Sequence, residues 1–150
     1  MSAVVEAPRL RVWRALTEPA EIVAWDESVV APIDATDGYP QVGTALRWRY
    51  RLGSVQLVLH DHPHEVHPPE RFRSRLMLGS LRFEQTYTLY EERALDGGGG
   101  VRTRLGLKLV ASSSVPVMGA VVDRFEVRRI AVGRIDTSLR AVQKWCENPA

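Results

Sequence analysis

Residues 115–147 read VPVMGAVVDRFEVRRIAVGRIDTSLRAVQKWCE, and this segment determines the architecture of the chain. Apolar residues recur in it every three or four positions for about eight turns, a spacing that predicts one amphipathic α-helix. A helix of roughly thirty residues is about 45 Å long, so it must lie across a sheet that curls around it. The apolar stripe consists of Met118, Val121, Val122, Phe125, Val132, Ile135, Leu139, Val142 and Cys146.

Upstream of this helix, alternating segments predict antiparallel β-strands. GTALRWRYRLG (43–53) and SVQLVLHDHPHEV (54–66) meet at Gly53 and Ser54, and RFRSRLML (71–78) and LRFEQTYTLYEE (81–92) meet at Gly79 and Ser80. A glycine that begins a two-residue connection is typical of a tight hairpin. A glycine-rich connection, ALDGGGG (94–100), leads to a last strand, VRTRLGLKLVA (101–111). Closely spaced strands with short turns indicate one antiparallel meander.

The beginning of the chain predicts a short strand followed by two short helices. SAVVEA (2–7) has the composition of a strand, and PRLRVWRALT (8–17) starts with Pro8, which suits a first helical turn. EPAEIVAWDES (18–28) restarts at Pro19 and gives the second helix, and VVAPIDATDG (29–38) follows as a loop or short strand.

Length and composition describe one globular domain, spanning residues 1–150. The chain has 150 residues, of which 45% are apolar and 25% charged. No run of about eighteen apolar residues is present, and the first residues lack the pattern of a signal peptide. The single cysteine, Cys146, cannot form an internal disulfide and reads as a packing residue. We therefore expect a cytoplasmic protein without integral membrane contact.

The basic residues are nearly all arginines, and they alternate with apolar residues, as in LRWRYRL (46–52). Alternation at a period of two places the arginines on one face of a strand and the apolar residues on the other. A solvated outer sheet face is the simpler interpretation. Nucleic acid or an anionic surface would need a basic run or a recognition motif, which is missing, so no nucleic-acid partner is expected.

The other faces of these strands combine large apolar residues with hydroxyl and amide groups. A solidly packed core rarely contains residues such as Tyr50, Gln85 and Tyr87, because each buried polar group must find a partner. Apolar walls with a few polar groups describe a small-molecule cavity. The alternative places the tyrosine hydroxyls at the rim of the sheet, in water. The predicted inner faces comprise Leu46, Trp48, Tyr50 and Leu52, then Leu81, Phe83, Gln85, Tyr87 and Leu89, then Val101, Thr103, Leu105, Leu107 and Leu109.

All four histidines lie in LHDHPHEVHPPERF (59–72). His60 and His62 share one face of a strand, where two imidazoles can converge on a zinc ion. However, Pro63 cannot donate to the ladder and indicates an edge position or a bulge, which turns both histidines outward. No second histidine, cysteine or carboxylate cluster completes a metal site in the sequence. We therefore predict a strand and a turn here, with no metal.

The segment VVEAPRLRVWRALTEPAEIVAW (4–25) resembles the opening of the SRPBCC or START-like superfamily, in which a strand ends at APxxxVW and two short helices end in tryptophan. GYPQVGTALRW (38–48) and EVHPPERF (65–72) are similar to its later landmarks, a VG strand start and a V-D-P-P strand end. His67 stands where an aspartate is common and faces solvent. The resemblance covers essentially the whole chain, although the first strand is shorter than usual.

The resemblance implies an α+β, helix-grip (Bet v 1-like) fold. In this fold a seven-stranded curved antiparallel sheet wraps around a long C-terminal helix, two short helices follow strand 1, and a hydrophobic cavity lies inside. It also implies several functions: lipid or hormone binding, polyketide cyclisation and dehydration, and co-chaperone activity on a heat-shock ATPase. The superfamily shares the cavity and not the chemistry, so the fold alone does not select among them.

Three functional hypotheses follow. The first is binding of a small hydrophobic or aromatic ligand, such as a lipid or polyketide, between sheet and helix, without a cofactor. The second is a polyketide cyclase or dehydratase, and the third is an interaction module that uses the arginine-rich outer sheet. Common catalytic motifs are missing, so any catalytic residue, including a histidine, stays unassigned. The expected partner is a small hydrophobic molecule, and the chain is expected to be a monomer or homodimer.

The cavity is predicted from residue type and position. Arg129 interrupts the apolar stripe of the long helix, where it either reaches solvent or meets an acidic group of the ligand. Asp26, Glu27 and Arg128 are further candidates for the cavity mouth. The predicted ligand-binding residues are Trp48, Tyr50, Phe83, Gln85, Tyr87, Leu105, Val121, Phe125 and Arg129.

Overall fold

The computed structural model describes residues 1–93, 100–111 and 124–148, and in the last helix it describes side chains from residue 132 onward. The predicted start of this helix, after Pro116, and most of the predicted glycine-rich connection lie outside the described residues. The elements are β1 Ser2–Val5, α1 Arg9–Thr17, α2 Pro19–Trp25, β2 Val29–Pro32, β3 Leu46–Leu52, β4 Val55–His67, β5 Arg71–Leu78, β6 Leu81–Arg93, β7 Val101–Ala111 and α3 Arg124–Glu147.

The strands form one antiparallel sheet in the order β1-β7-β6-β5-β4-β3-β2. Strands β2 to β7 each pair with their neighbours in sequence, as expected of a meander. Strand β1 pairs with β7, which places the first and last strands of the chain side by side. The predicted α+β helix-grip architecture, with its seven-stranded sheet, two short helices and packed C-terminal helix, is confirmed.

Both predicted hairpin turns are present. Gly53 joins β3 to β4 and Gly79 joins β5 to β6, each with a φ of +61°, while no described residue other than glycine has a positive φ. A positive φ at the first of two turn residues, followed by an ordinary φ at the serine, corresponds to a type II′ turn. A side chain at either glycine would strain the backbone, so these residues fix the register of the two hairpins.

The inner and outer faces of the sheet follow the predicted alternation. In β3, Leu46, Trp48 and Tyr50 are buried and the arginines between them are exposed. The outer face is solvated and carries ion pairs such as Arg47–Asp34 at 2.8 Å. The prediction was wrong for Val101, which is 39% exposed. This residue is the first of β7 and lies opposite the last residue of β6, so it sits at the end of the sheet.

Helices α1 and α2 close one end of the sheet. Trp13, Leu16 and Trp25 are buried, and the indole N–H of Trp25 donates to the carbonyl oxygen of Ala15 at 2.6 Å. This bond fastens α2 to α1. Pro19 occupies the first turn of α2, as predicted, because a proline at that position gives up only an N–H that has no helical partner.

Helix α3 is about 36 Å long over its 24 residues and packs against β1, β7, α1 and α2. The side-chain amide of Gln143 donates to the carbonyl oxygen of Val4 at 3.2 Å, and the indole of Trp145 donates to Glu21 at 2.8 Å. Among the described residues, no helix is long and apolar enough to cross a membrane. The buried positions of α3 include Ile135, Ser138, Leu139, Val142 and Cys146.

Val132 was predicted to belong to this buried stripe, and that prediction was wrong, since its side chain is 50% exposed. Arg134 faces the interior at this level of the helix, and it lies about 160° around the helix axis from Val132. Arg134 precedes the buried Ser138 and Val142 by four and eight residues, so all three lie on one face of α3. Cys146 itself is buried, as expected of a packing residue, and burial raises the pKa of its thiol to about 11.

Candidate functional site

Two small cavities lie between the inner face of the sheet and the helices. Cavity 1 has apolar walls that include Leu16, Ile22, Trp25, Trp48 and Phe72. Among the described residues, its polar lining includes Asp26, Tyr39, Asp61, Gln85, Tyr87 and Arg134. Cavity 2 is mainly apolar and is lined by Tyr50, Leu52, Leu78, Leu81, Phe83 and Leu109. The two cavities share Leu59, Leu76 and Arg134 as common walls.

Each cavity has a volume of about 30 Å³. A water molecule needs roughly 10–15 Å³ by this measure, so each cavity has room for two or three waters. A cavity that accommodates benzene has about 150 Å³. The interior between the described residues is therefore more closely filled than the sequence led us to expect, and a molecule the size of benzene fits only if side chains move.

Most of the predicted ligand-binding residues with described side chains line these cavities. Trp48, Gln85 and Tyr87 line cavity 1, and Tyr50 and Phe83 line cavity 2.

The remaining predicted ligand-binding residues are not among the described residues that line the two cavities. Leu105 is fully buried in the core and lines neither cavity, because it lies between Ala3 and Leu89 near the β1 edge of the sheet. Val121 lies outside the described residues. Phe125 and Arg129 fall in α3, but their side chains, like that of Arg128, are not among those described.

A buried carboxyl group, that of Asp61, forms the polar centre of cavity 1. Its side chain accepts hydrogen bonds from the Tyr39 hydroxyl at 2.7 Å, from the Trp48 indole at 3.2 Å and from the Ser74 hydroxyl. Asp61 points inward because it lies two residues after the inward-facing Leu59 in β4, and it is only 5% exposed. Burial raises the pKa of Asp61, although the three donors act in the opposite direction.

The raised pKa of Asp61 makes stability depend on pH. A carboxyl group with a higher pKa in the folded state stabilises the fold at pH values below its unfolded pKa, and this contribution is lost as pH rises through the folded pKa. We expect the free energy of unfolding of the wild type, measured relative to Asp61→Asn by urea denaturation, to fall as pH rises from about 3.8 towards neutrality. A difference that is constant, or that moves in favour of the wild type, contradicts the prediction.

A second polar cluster lies where the two cavities meet. The guanidinium group of Arg134 donates to the Tyr50 hydroxyl at 2.9 Å and to Asp26 at 3.3 Å, and it stacks over the Tyr50 ring at 5.2 Å. Burial alone would lower the pKa of Arg134, but Asp26 and the two tyrosines Tyr50 and Tyr87 raise it above its ordinary value. Arg134 is therefore a partly buried cation whose charge Asp26 compensates.

Two polar side chains in cavity 1 have no hydrogen-bond partner among the described residues. No hydrogen bond joins the Tyr87 hydroxyl or the Gln85 amide to another residue that the structure describes. The Tyr87 ring stacks on Phe72 with 6.4 Å between centroids, which holds its hydroxyl in the cavity. Buried polar groups usually find a partner, so these two groups are available to water or to a ligand.

The histidines lie away from the cavities. The register of β4 against β5 shifts between Pro63 and Glu65, which confirms the predicted bulge. His60 and His62 point to the outer face, and His62 is exposed, as predicted. His64 lies 3.4 Å from Glu84 on the outer face. The described residues contain no group of three side chains suited to hold a metal ion.

Sequence reasoning missed three of the polar residues in cavity 1: Tyr39, Asp61 and Arg134. A signal for Asp61 was present, because it lies two residues after Leu59 in a segment predicted as a strand, and residues at that spacing share a face. Tyr39 reaches the interior from the connection between β2 and β3, where periodicity carries no information. Of the candidates for the cavity mouth, Asp26 lines cavity 1, whereas Glu27 is exposed.

No protein-family model and no curated protein matches the sequence. Solved structures do match. A START superfamily protein from Mycobacterium smegmatis is 14% identical with a TM-score of 0.68, over 98% of this chain and 94% of that chain. Ara h 8.0201 is 10% identical with a TM-score of 0.66, over 97% and 94%. DynU16, a protein in the dynemicin biosynthetic locus, is 17% identical with a TM-score of 0.61, over 96% of this chain and 45% of that chain.

Proposed function

Because the chain has the START-like helix-grip fold, we propose that it binds a small hydrophobic or aromatic molecule between the sheet and α3. The observation that carries the proposal is the pair of polar side chains, Tyr87 and Gln85, that face cavity 1 without a partner among the described residues. Leaving a polar group unpaired in a dry core costs free energy. Apolar walls with a few such groups are typical of ligand pockets.

The two cavities supply a place for the ligand once they join. Leu59, Leu76 and Arg134 are the residues that they share, and both leucines are buried. Rotation of the two leucines connects the apolar cavity 2 with the polar cavity 1. The ligand then lies along the inner face of β4 and β5, with its apolar part towards Phe83 and its polar part towards Tyr87.

The proposal predicts that a fluorescent apolar probe binds and that a wall residue controls the binding. N-phenyl-1-naphthylamine is expected to gain fluorescence with the wild type and to quench the tryptophan emission, since Trp25 and Trp48 line cavity 1. Leu59→Phe is expected to weaken binding about tenfold, because overfilling a packed site costs roughly 1–3 kcal/mol.

Val58→Phe is the matched control. Val58 precedes Leu59 in β4 but is exposed on the outer face, so binding in this variant is expected to stay at the wild-type level. Melting temperatures of both variants show whether each is folded. No fluorescence change with the wild type, or an equal loss in both variants, would falsify the proposal.

The second hypothesis, a polyketide cyclase or dehydratase, would need a group that moves protons next to the ligand. Asp61 is a described candidate because it lines cavity 1 and burial raises the pKa of its carboxyl group. However, Tyr39, Trp48 and Ser74 already donate to its two oxygens. This arrangement holds the carboxyl group in place and favours binding over catalysis.

A further inference from the structure

Among the described residues, the two carboxyl groups that face cavity 1 already have hydrogen-bond donors. Both oxygens of Asp61 accept hydrogen bonds from protein groups. Asp26 accepts from the backbone N–H of Ser28 at 3.0 Å through one oxygen and from Arg134 at 3.3 Å through the other. The carboxylates of the site are therefore satisfied by the protein itself and leave little acceptor capacity for a ligand.

The groups left over are mainly donors. The Tyr87 hydroxyl and the side-chain amide of Gln85 have no partner among the described residues. The Tyr50 oxygen accepts from Arg134, which leaves its own proton free to donate. A guanidinium group carries five N–H donors, and those of Arg134 reach only Tyr50 and Asp26 among the residues that the structure describes. A ligand that satisfies this site must offer an acceptor.

The charges in the interior determine whether a neutral or an anionic acceptor is favoured. The described lining of cavity 1 contains one guanidinium, that of Arg134, and two carboxyl groups, those of Asp26 and Asp61, so these described residues carry no surplus positive charge. Burial is the main cause that raises the pKa of Tyr87. The charge of Arg134 lowers this pKa, and the charges of Asp26 and Asp61 raise it. An anion is thus disfavoured at this hydroxyl, and a ligand carboxylate would face the same cost.

We infer that the polar end of the ligand is a neutral carbonyl oxygen, as in a ketone, ester or quinone, and that Tyr87 donates to it beside Gln85 and Arg134. This inference rests on the proposed ligand-binding function and specifies the chemistry that the site accepts. The aromatic rings of Trp48 and Phe72 and the leucine side chains of cavity 2 surround the rest of the molecule.

Three probes of similar size test the inference by chemical-shift titration of the isotope-labelled protein at pH 7: acetophenone, cumene and benzoate. Acetophenone is expected to bind about three- to tenfold more tightly than cumene, the effect of one hydrogen bond. Benzoate is expected to bind more weakly than either. Tyr87→Phe is expected to bring the ratio of acetophenone to cumene affinity close to one.

Tyr90→Phe is the matched control, because Tyr90 lies in the same strand but is exposed on the outer face. It is expected to keep the wild-type ratio. Benzoate binding that is tighter than acetophenone binding, or a ratio that Tyr87→Phe leaves unchanged, overturns the carbonyl inference while the ligand-binding function stands. Absence of binding by all three probes overturns both.

Discussion

Asp61→Ala is expected to lower the free energy of unfolding by about 3 kcal/mol or more, since each buried donor left without an acceptor costs roughly 1–3 kcal/mol. The change leaves three donors without their acceptor, because the hydroxyl groups of Tyr39 and Ser74 and the indole N–H of Trp48 all donate to this carboxyl group. Removing the buried carboxyl offsets some of the loss. Urea denaturation at pH 7, with tryptophan fluorescence as the signal, measures the difference.

Asp34→Ala is the control for this substitution. Asp34 also accepts several hydrogen bonds, from the backbone and the guanidinium group of Arg47, but it lies on the exposed outer face. Its loss is expected to change stability much less, because water replaces the lost partner and screens the charge. Equal effects at Asp61 and Asp34 would show that the buried network is not a major source of stability.

Phe72→Ala is expected to destabilise the fold by about 3–5 kcal/mol, the usual cost of removing a large aromatic side chain from a core. Phe72 is 1% exposed and connects three other rings, with centroid distances of 6.4 Å to Trp13, 6.2 Å to Tyr39 and 6.4 Å to Tyr87. Its removal leaves a void beside cavity 1 that these rings are too constrained to fill.

Tyr90→Ala provides the comparison for an aromatic residue in the same sheet. Tyr90 is 62% exposed, so its truncation removes little buried area and is expected to cost far less. The urea concentrations at the midpoint of unfolding are compared for the two variants. This comparison requires that the free energy of unfolding depends on urea concentration with the same slope in both. If Phe72→Ala unfolds at the same urea concentration as the wild type, the four rings do not act as a packed unit.

The sequence was sufficient to predict the fold because several local signals agreed. Glycines at positions 53 and 79 marked both hairpins, and alternation in β3 and β6 placed Trp48 and Tyr87 inside. The helical period placed Ile135, Leu139 and Val142 in the core. Each of these signals depends on residues close together in the chain. Because the local signals all favour the same fold, that fold can be predicted from the sequence.

The site was harder to predict because it depends on contacts between distant segments. Arg134 lies four residues before the buried Ser138 in α3, but a charged residue is usually assigned to a solvated helix face, so its residue type argued against an inward position. Its partners Asp26 and Tyr50 are 108 and 84 residues away in sequence. The small volume of the cavities follows from side-chain packing, which periodicity does not measure.

The strand order has a consequence for how the protein behaves at high concentration. The two edge strands of the sheet, β1 and β2, have four residues each, whereas the strands between them have 7 to 13. Unpaired edges are templates on which further chains add, and short edges with a proline, such as Pro32 at the end of β2, resist this. The sheet thus limits edge-to-edge aggregation through its topology.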